Sequence, residues 1–267
     1  MKFQIHLNKM HTIHSEKVGY ELRDEDQILT FTDYIGKKVR LSYEGVIHCV
    51  NCGKKTKKSF NQGFCFPCTI KLAACDLCIV RPELCHFEKG TCREPSWGEE
   101  NCLKPHVVYL ANSSGLKVGI TRRTQVPYRW IDQGATQALP IIEVTKRLDS
   151  GLIENHFKKH IADKTDWRKM LKGSADSLDL KSIRDDLLPK VLPEISNIDF
   201  KLLDENVFEF NYPVLKYPEK ISSFNLDKAN MVEGTLMGIK GQYLIFDSGV
   251  LNVRSHGGYQ VCIEVLE

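Results

Sequence analysis

Four cysteines in the N-terminal third of the chain have the spacing of a closed metal site. Cys49-Val-Asn-Cys52 and Cys65-Phe-Pro-Cys68 form two Cys-x-x-Cys pairs with twelve residues between them. Each pair brings two thiolates to one ion, and four thiolates complete a tetrahedron that leaves no position for water. Thiolates are soft ligands that suit zinc. The spacing therefore predicts one structural zinc ion in a zinc ribbon, and an iron–sulfur cluster is the competing interpretation.

A second group of cysteines follows and offers more ligands than one ion needs. Nine of the ten cysteines lie between Cys49 and Cys102, and this clustering favours metal over disulfides. We expect a second zinc ion here, and the preferred ligands are Cys75, Cys78, Cys85 and Cys92. His86 or Cys102 can replace a member of that set. The alternative is that several of these thiols are small buried apolar side chains.

A third set of residues has the types that cleavage of a phosphodiester requires. Glu154 is the candidate ligand for Mg²⁺ or Mn²⁺, because such an ion is commonly held by one or two carboxylates with phosphate and water. Arg129 offers fixed, always-charged donors to a phosphate. Tyr109 is a candidate general base if a metal ion or Lys117 lowers its pKa. Lys117 is also a candidate phosphate contact.

Each member of this third set also has an ordinary structural interpretation. Tyr109 fits a core aromatic residue with a satisfied hydroxyl group. Arg129 can stack on the neighbouring Trp130. Glu154 is favoured near the start of a helix by the helix dipole alone. Gly119 fits a position of close packing.

The order of these residues resembles the core of the GIY-YIG endonuclease superfamily. That core pairs a Gly-Ile-Tyr-like strand with a Tyr-Ile-Gly-like strand, and an arginine and a glutamate follow on two helices. Val107-Val-Tyr109 matches the first motif, and Lys117-Val-Gly119 matches the second in the branch that has Lys-Ile-Gly. The resemblance implies an endonuclease whose catalytic residues are Tyr109, Lys117, Gly119, Arg129 and Glu154.

The whole chain also resembles an uncharacterised bacterial family, a domain of unknown function that joins this core to an upstream cysteine-rich module. The runs that carry the resemblance are Gln62-Gly63-Phe-Cys65, Gly90-Thr-Cys92-Arg-Glu-Pro and Arg129-Trp-Ile-Asp-Gln133-Gly-Ala. This resemblance implies an architecture and no settled activity.

The elements that position these residues follow from the hydrophobic pattern, which predicts an α+β protein. We expect N-terminal β-strands before the zinc ribbon, then a small mixed sheet with helices, then a C-terminal β-meander or small barrel that packs with the N-terminal strands. A strand is predicted over 28–34, after the acidic turn 24–26. One helix is predicted to begin at Asp149 or Ser150, and another, over 176–190, to end at Pro189.

Composition shifts along the chain predict five segments. Their boundaries are a β-rich segment over 1–48, a cysteine-rich zinc-binding module over 49–105, the GIY-YIG-like core over 106–175, a helical connector over 176–198 and a C-terminal β-rich domain over 199–267.

Charge and composition indicate the partners. From Gly36 to Leu72, eight Lys and Arg residues face the single acid Glu44, although the net charge of the 267 residues is only +3. Such a run suits a phosphate backbone, and the competing interpretation is a solvated surface. The nucleic-acid contacts that we expect are Lys54, Lys55, Lys57, Lys58, Arg122, Arg123 and Trp130.

Two functions fit these observations: a metal-dependent endonuclease, or a non-catalytic protein that binds RNA or DNA through its zinc ribbon. No apolar run approaches the roughly 18–20 residues of a membrane span, and residues 1–14 lack a signal-peptide core. We therefore expect a cytoplasmic protein with nucleic acid as its partner and no membrane contact.

Overall fold

The computed structural model describes residues 1–24, 27–173 and 175–266. Glu25 and Asp26 of the predicted acidic turn lie outside the described residues. The fold is α+β, as predicted. Its described strands form three antiparallel sheets, whereas a mixed sheet was expected at the centre. The fold divides into two compact units: the first comprises Met1–Ile70, Leu171–Gly173 and Asn211–Glu267, and the second Lys71–Met170 and Ser174–Phe210. The finer division into five segments stays a prediction.

The described elements are fifteen strands and six α-helices, joined by short 3₁₀ turns. The strands are β1 (Lys2–His6), β2 (His11–Ile13), β3 (Gly19–Asp24), β4 (Gln27–Thr30), β5 (Lys38–His48), β6 (Lys55–Thr56), β7 (His106–Asn112), β8 (Leu116–Arg122), β9 (Gln137–Val144), β10 (Lys201–Leu202), β11 (Phe208–Glu209), β12 (Met231–Lys240), β13 (Tyr243–Phe246), β14 (Val250–Asn252) and β15 (Tyr259–Leu266). The helices are α1 (Phe66–Lys71), α2 (Pro95–Asn101), α3 (Tyr128–Asp132), α4 (Arg147–Phe157), α5 (Trp167–Leu171) and α6 (Leu180–Val191).

The first unit joins strands from both ends of the sequence in one sheet, in the order β1-β15-β5-β12-β13-β14, with β6 on β5. Strand β5 lies inside this sheet because its alternating Val39 and Leu41 are fully buried. Leu41 is opposite Ile263 on one side and Val232 on the other. The predicted packing of the two β-rich ends is therefore confirmed. Among the described strands the sheet stays open, so the meander alternative holds and the barrel does not.

The first unit also contains a smaller sheet, β2-β3-β4. The prediction of a strand over 28–34 was wrong in its C-terminal part. Strand β4 ends at Thr30, and Phe31–Tyr34 forms a 3₁₀ turn. Phe31 is fully buried and packs edge-on against Tyr34, with 5.7 Å between ring centroids. Burial of this ring bends the chain inward before the strand can continue.

The second unit is a five-stranded sheet covered by helices. Its order is β10-β9-β7-β8, with β11 also paired to β9. Every residue of β7 is buried, because β8 and β9 flank it and helices α4 and α6 pack on the sheet. Ile153 and Phe157 of α4 share one apolar cluster with Val108 and Leu110 of β7. This cluster holds α4 against the hairpin that β7 and β8 form.

Two helix boundaries differ from the prediction. Helix α4 begins at Arg147 rather than Asp149, because Lys146 has the extended backbone of an N-cap residue. Helix α6 continues through Pro189 to Val191, where the prediction ended it at the proline. Val191 is fully buried in the core, and this packing outweighs the missing N–H of the proline.

Candidate functional site

The tetracysteine site, defined as Cys49, Cys52, Cys65 and Cys68, lies in the first unit where β5 ends. The four sulfur atoms all lie within 4.8 Å of one another. The N–H of Cys65 donates to Sγ of Cys49 at 3.2 Å. Burial raises the pKa of Cys49, but backbone N–H donors from Cys52, Cys65 and Asn51 outweigh it and lower that pKa to about 6. Burial raises the pKa of Cys68 to about 12, so the four thiols differ in how readily they lose a proton without a metal ion. The geometry of the four sulfur atoms can hold a metal ion, for which zinc fits.

Glycine contacts fasten the loop of the tetracysteine site to the β14–β15 connection. A Cβ atom on Gly257 would overlap the carbonyl of Gln62, and one on Gly258 would overlap that of His48. The N–H of His48 donates to the carbonyl of Gly258 at 2.8 Å, and that of Val50 to the carbonyl of Gly63 at 2.9 Å. The glycines thus allow the backbone approach that positions Cys49 at the end of its strand.

The Tyr109 cluster is a second site, in the second unit, and comprises Tyr109, Lys117, Arg129, Gln133 and Glu154. The Tyr109 hydroxyl donates to Oε1 of Gln133 at 2.9 Å, and Nζ of Lys117 donates to the same oxygen at 2.7 Å. Tyr109 is 1% exposed and Lys117 4% exposed. The Tyr109 hydroxyl and the Lys117 ammonium group therefore donate to the same side-chain amide oxygen.

The β7–β8 hairpin explains why Gly119 belongs beside Tyr109. The two residues are paired directly across the strands. A Cβ atom at position 119 would lie 2.6 Å from the Tyr109 hydroxyl oxygen and 2.7 Å from Cζ. Position 119 must therefore lack a side chain for the tyrosine to reach Gln133.

Burial shifts the pKa values of Tyr109, Lys117 and Glu154, the buried titratable residues of the Tyr109 cluster. It raises the pKa of Tyr109, which the Arg129 guanidinium opposes and the Glu154 carboxylate reinforces. It lowers the pKa of Lys117 to about 8, and the charge of Arg129 adds to that effect. It raises the pKa of Glu154, while the hydrogen bond from Lys158 opposes the rise. Such shifts in one cluster are typical of functional sites.

A lysine occupies the place beside Glu154 where a divalent ion was expected. Nζ of Lys158 lies 3.0 Å from a carboxylate oxygen of Glu154 and 3.3 Å from one of Asp163. Glu154 itself is 7% exposed. A divalent ion could bind the two carboxylates only if Lys158 moved away, because the ion and the Lys158 ammonium group would compete for the same oxygen atoms.

The predicted nucleic-acid contacts fall into two groups. Lys54, Lys55, Lys57 and Lys58 are exposed, and within the described ranges no carboxylate lies within ion-pair distance of them. Trp130 is instead fully buried between Tyr109 and Phe208, with ring centroids 5.5 and 5.0 Å away.

The two arginines have protein partners. Arg122 donates to the side chain of Asn101, and Arg123 pairs with Glu205 at 2.6 Å.

Sequence reasoning missed three residues of this region. Gln133 is the acceptor at the centre of the cluster, although it had been noted only as part of a motif run. Lys158 pairs with Glu154, and Asp163 pairs with the same lysine. The sequence predicted no role for either residue. Lys158 carries a signal that was available, because it stands four residues after Glu154 on the same helical face.

The second group of cysteines has a different geometry from the tetracysteine site. In the part of the chain that the structure describes, the other group of ligand atoms within 4.8 Å is Asp76, Cys78 and His86. No three of the preferred second-zinc ligands, Cys75, Cys78, Cys85 and Cys92, meet that distance among the described residues. Asp76 is also engaged by Arg93, at 2.7 Å.

Thiols at four positions nevertheless influence one another. Burial raises the pKa of Cys78 to about 12, with further contributions from Asp76 and from the thiols of Cys85 and Cys102. Burial also raises the pKa of Cys102, to which Cys85 and Cys92 add. Cys78, Cys85, Cys92 and Cys102 therefore lie in one neighbourhood.

Comparison with known proteins gives one match. A family model described as "Protein of unknown function (DUF2797)" matches residues 36–261. No curated protein matches the chain, and neither does any solved structure. Among the described helices, none combines the length and the apolar character that a membrane span requires.

Proposed function

This chain belongs to the DUF2797 family, and from that premise we propose that it acts on nucleic acid, with the Tyr109 cluster as the core of a divalent-metal-dependent endonuclease. The observation that carries the proposal is the convergence of the buried Tyr109, Lys117 and Glu154 with the half-buried Arg129. Buried polar groups cost free energy, so a cluster of this kind points to a functional use.

The resemblance to the GIY-YIG superfamily supports this proposal at the level of element order, while the comparisons give no support for membership. Tyr109 and Gly119 lie opposite each other in a hairpin, as the resemblance implies. Arg129 lies on the following helix, α3, and Glu154 on the later helix, α4.

The pKa shifts support a division of the proton-transfer roles. Because burial raises the pKa of Tyr109, the residue is a neutral hydrogen-bond donor rather than a general base. Lys117 is the better proton acceptor, since its pKa of about 8 leaves part of it neutral near physiological pH. Arg129 would contact phosphate with its fixed charge. When bound, a Mg²⁺ or Mn²⁺ ion would stabilise charge on the phosphate, and Glu154 with Asp163 would hold it.

The exposed lysines beside the tetracysteine site supply the second support. Lys54, Lys55, Lys57 and Lys58 place four exposed positive charges on one short segment. A zinc ion would fix this loop, and its charges would attract a phosphate backbone.

The test uses the full chain loaded with zinc and incubated with DNA and RNA panels in Mg²⁺ or Mn²⁺. We expect cleavage by the wild type, at least a hundredfold less by Glu154→Gln and no loss in Glu194→Gln. Glu194 is a matched control because it pairs with Lys159 at 2.5 Å outside the cluster. The rate should rise with pH through about 8, because Lys117 accepts a proton only when neutral. Equal products from wild type and Glu154→Gln would reject the endonuclease.

The second candidate function is non-catalytic binding of RNA or DNA. The ion pair of Glu154 with Lys158 favours it, because that pair fills the expected metal position without a metal ion. Binding would then survive Glu154→Gln.

Replacement of Lys54, Lys55, Lys57 and Lys58 by Gln should weaken binding and should reduce the slope of log K against log salt by about 3 to 4 on duplex DNA. An unchanged slope would remove this loop from the binding surface under either function.

A further inference from the structure

Helix α1, beside the tetracysteine site, exposes apolar side chains. None of its residues is buried. Phe66 is 58% exposed, and Ile70, four residues later on the same helical face, is 54% exposed. A single exposed apolar side chain is ordinary, but a group of them on one face indicates an interaction surface.

A second aromatic ring extends this group. Phe60, which is half-buried, packs against Phe66 with 5.6 Å between ring centroids. Phe66 and Pro67 are the two residues between Cys65 and Cys68, so a metal ion at the tetracysteine site would hold both ends of this short segment. The ring of Phe66 would then be fixed before a partner binds, which reduces the entropy cost of binding.

Positive charge adjoins the two rings. Nζ of Lys58 lies 5.5 Å from the centroid of the Phe60 ring. The sequence over 45–70 contains no Asp or Glu, so this segment supplies no compensating acid. Cations beside exposed aromatic rings complement a partner that carries negative charge and flat apolar groups together. Nucleic acid has both, since phosphates alternate with bases along its strand.

The exposed rings favour a single strand over a duplex. In a duplex the faces of the bases are covered by their stacked neighbours, and a protein reaches base edges and phosphates. Lysines alone would serve a duplex as well as a single strand. An exposed phenylalanine ring gains a stacking contact only where a base is unpaired and its face is free. An acidic peptide without aromatic residues would supply the charge but would leave the rings without a stacking partner.

We propose that the Phe66 surface, defined as Lys58, Phe60, Phe66 and Ile70, binds single-stranded DNA or RNA. An unpaired base stacks on the ring of Phe66, and Lys58 contacts the adjoining phosphate. The charges of Lys54, Lys55 and Lys57 add to the attraction of the strand. Because it rests on the nucleic-acid function proposed above, this assignment concerns the substrate class alone and gives the Tyr109 cluster no further role.

The test measures binding to the zinc-loaded full chain by fluorescence anisotropy, without added Mg²⁺ or Mn²⁺ so that no strand is cut. The probes are a single-stranded DNA, a single-stranded RNA and the matching DNA duplex of one sequence. We expect tighter binding of the single strands than of the duplex. Phe66→Leu should weaken single-strand binding by roughly 5- to 100-fold and duplex binding by less than about twofold, because leucine stays apolar but cannot stack on a base.

Two control variants separate stacking from loss of structure. Tyrosine keeps an aromatic ring, so Phe66→Tyr should retain the wild-type affinity for the single strands. Leu215→Ala removes a side chain that is 61% exposed in the same unit, and it should change none of the three affinities. The zinc content of each variant, measured alongside, checks that the tetracysteine site is intact.

Three results would contradict the assignment. Equal affinities of wild type and Phe66→Leu for the single strands, while the duplex is still bound, would overturn it and leave the nucleic-acid function standing. Displacement of the strand by polyglutamate as readily as by unlabelled single strand would overturn it too, because charge alone would then explain binding. Failure of the wild type to bind any of the three probes would reject the nucleic-acid function itself.

Discussion

Buried charge distinguishes the Tyr109 cluster, at the scale of single residues, from an ordinary hydrophobic core. Lys117 is 4% exposed, and its hydrogen bond to Gln133 offsets only part of the cost of burying an ammonium group. A lysine in that position would be replaced readily by an apolar residue if packing were its only task. The sequence predicted Tyr109, Lys117, Arg129 and Glu154 as site residues, because their types and their order can be recognised without knowledge of the fold.

Sequence could not name Gln133 as their common acceptor. Gln133 follows a helix and contacts residues of two strands, and only the tertiary fold brings these groups together. The residues next to Gln133 in the sequence show no periodic pattern that would predict this role.

Gly119→Ala should destabilise the protein, because the new Cβ would lie 2.6 Å from the Tyr109 hydroxyl. We expect a loss of about 1–3 kcal/mol in the free energy of unfolding, measured by urea denaturation. Gly173→Ala is the control, since nothing lies within 4 Å of its added Cβ. Removal of the hydroxyl in a Gly119→Ala, Tyr109→Phe double variant should recover part of the loss. Equal stability of the two alanine variants would contradict the close contact.

Helices and strands, the next scale, were predicted best where their pattern is regular. Strand β5 follows from a period-two pattern, which the burial of Val39 and Leu41 confirms. The β7–β8 hairpin follows from two short apolar runs, and both of its strands are largely buried. The predicted boundaries were wrong where one buried side chain decides the backbone path. Phe31 bends the chain out of a strand, and Val191 carries α6 past Pro189.

Pro189→Ala tests the continuity of α6. Alanine restores a backbone N–H in the helix interior and removes the clash of the ring, so the free energy of unfolding should rise by up to about 3 kcal/mol. Lys190→Ala, at the next exposed position, should change it by less than about 0.5 kcal/mol. A loss of stability in Pro189→Ala would show that the helix ends before the proline.

At the scale of the whole molecule, the two units place their cysteines in different structural settings. The first unit has a large sheet and a tetracysteine site at the end of one strand, whereas the cysteine segment of the second unit is made of short turns. The β-rich character of both chain ends predicted that they pack together, and the structure joins them in one sheet. That pattern did not predict which residues form each unit, because contacts between distant segments define them.

Zinc removal should therefore act locally. After chelation, or in Cys49→Ser, amide hydrogen exchange should accelerate in the loop over 49–68 and at the end of β5, because the loop then loses the metal ion and keeps its contacts with the β14–β15 connection. The β7–β9 strands should keep their protection. Cys262→Ser with zinc present is the control. Unchanged exchange over 49–68 after complete zinc loss would show that the tetracysteine site is not a structural staple.

The discontinuous first unit sets an order of events during synthesis. Strand β5 pairs with β12 and β15, and Met231 follows His48 by 183 residues. At about 5–20 residues per second, β5 waits roughly 10 to 40 s on the ribosome before its partners emerge. The second unit lies almost entirely between these partners and can fold during that interval. Until β12 arrives, a metal ion at the tetracysteine site would be the earliest tertiary restraint on the N-terminal strands, and zinc supply would then govern how much newly made chain escapes aggregation.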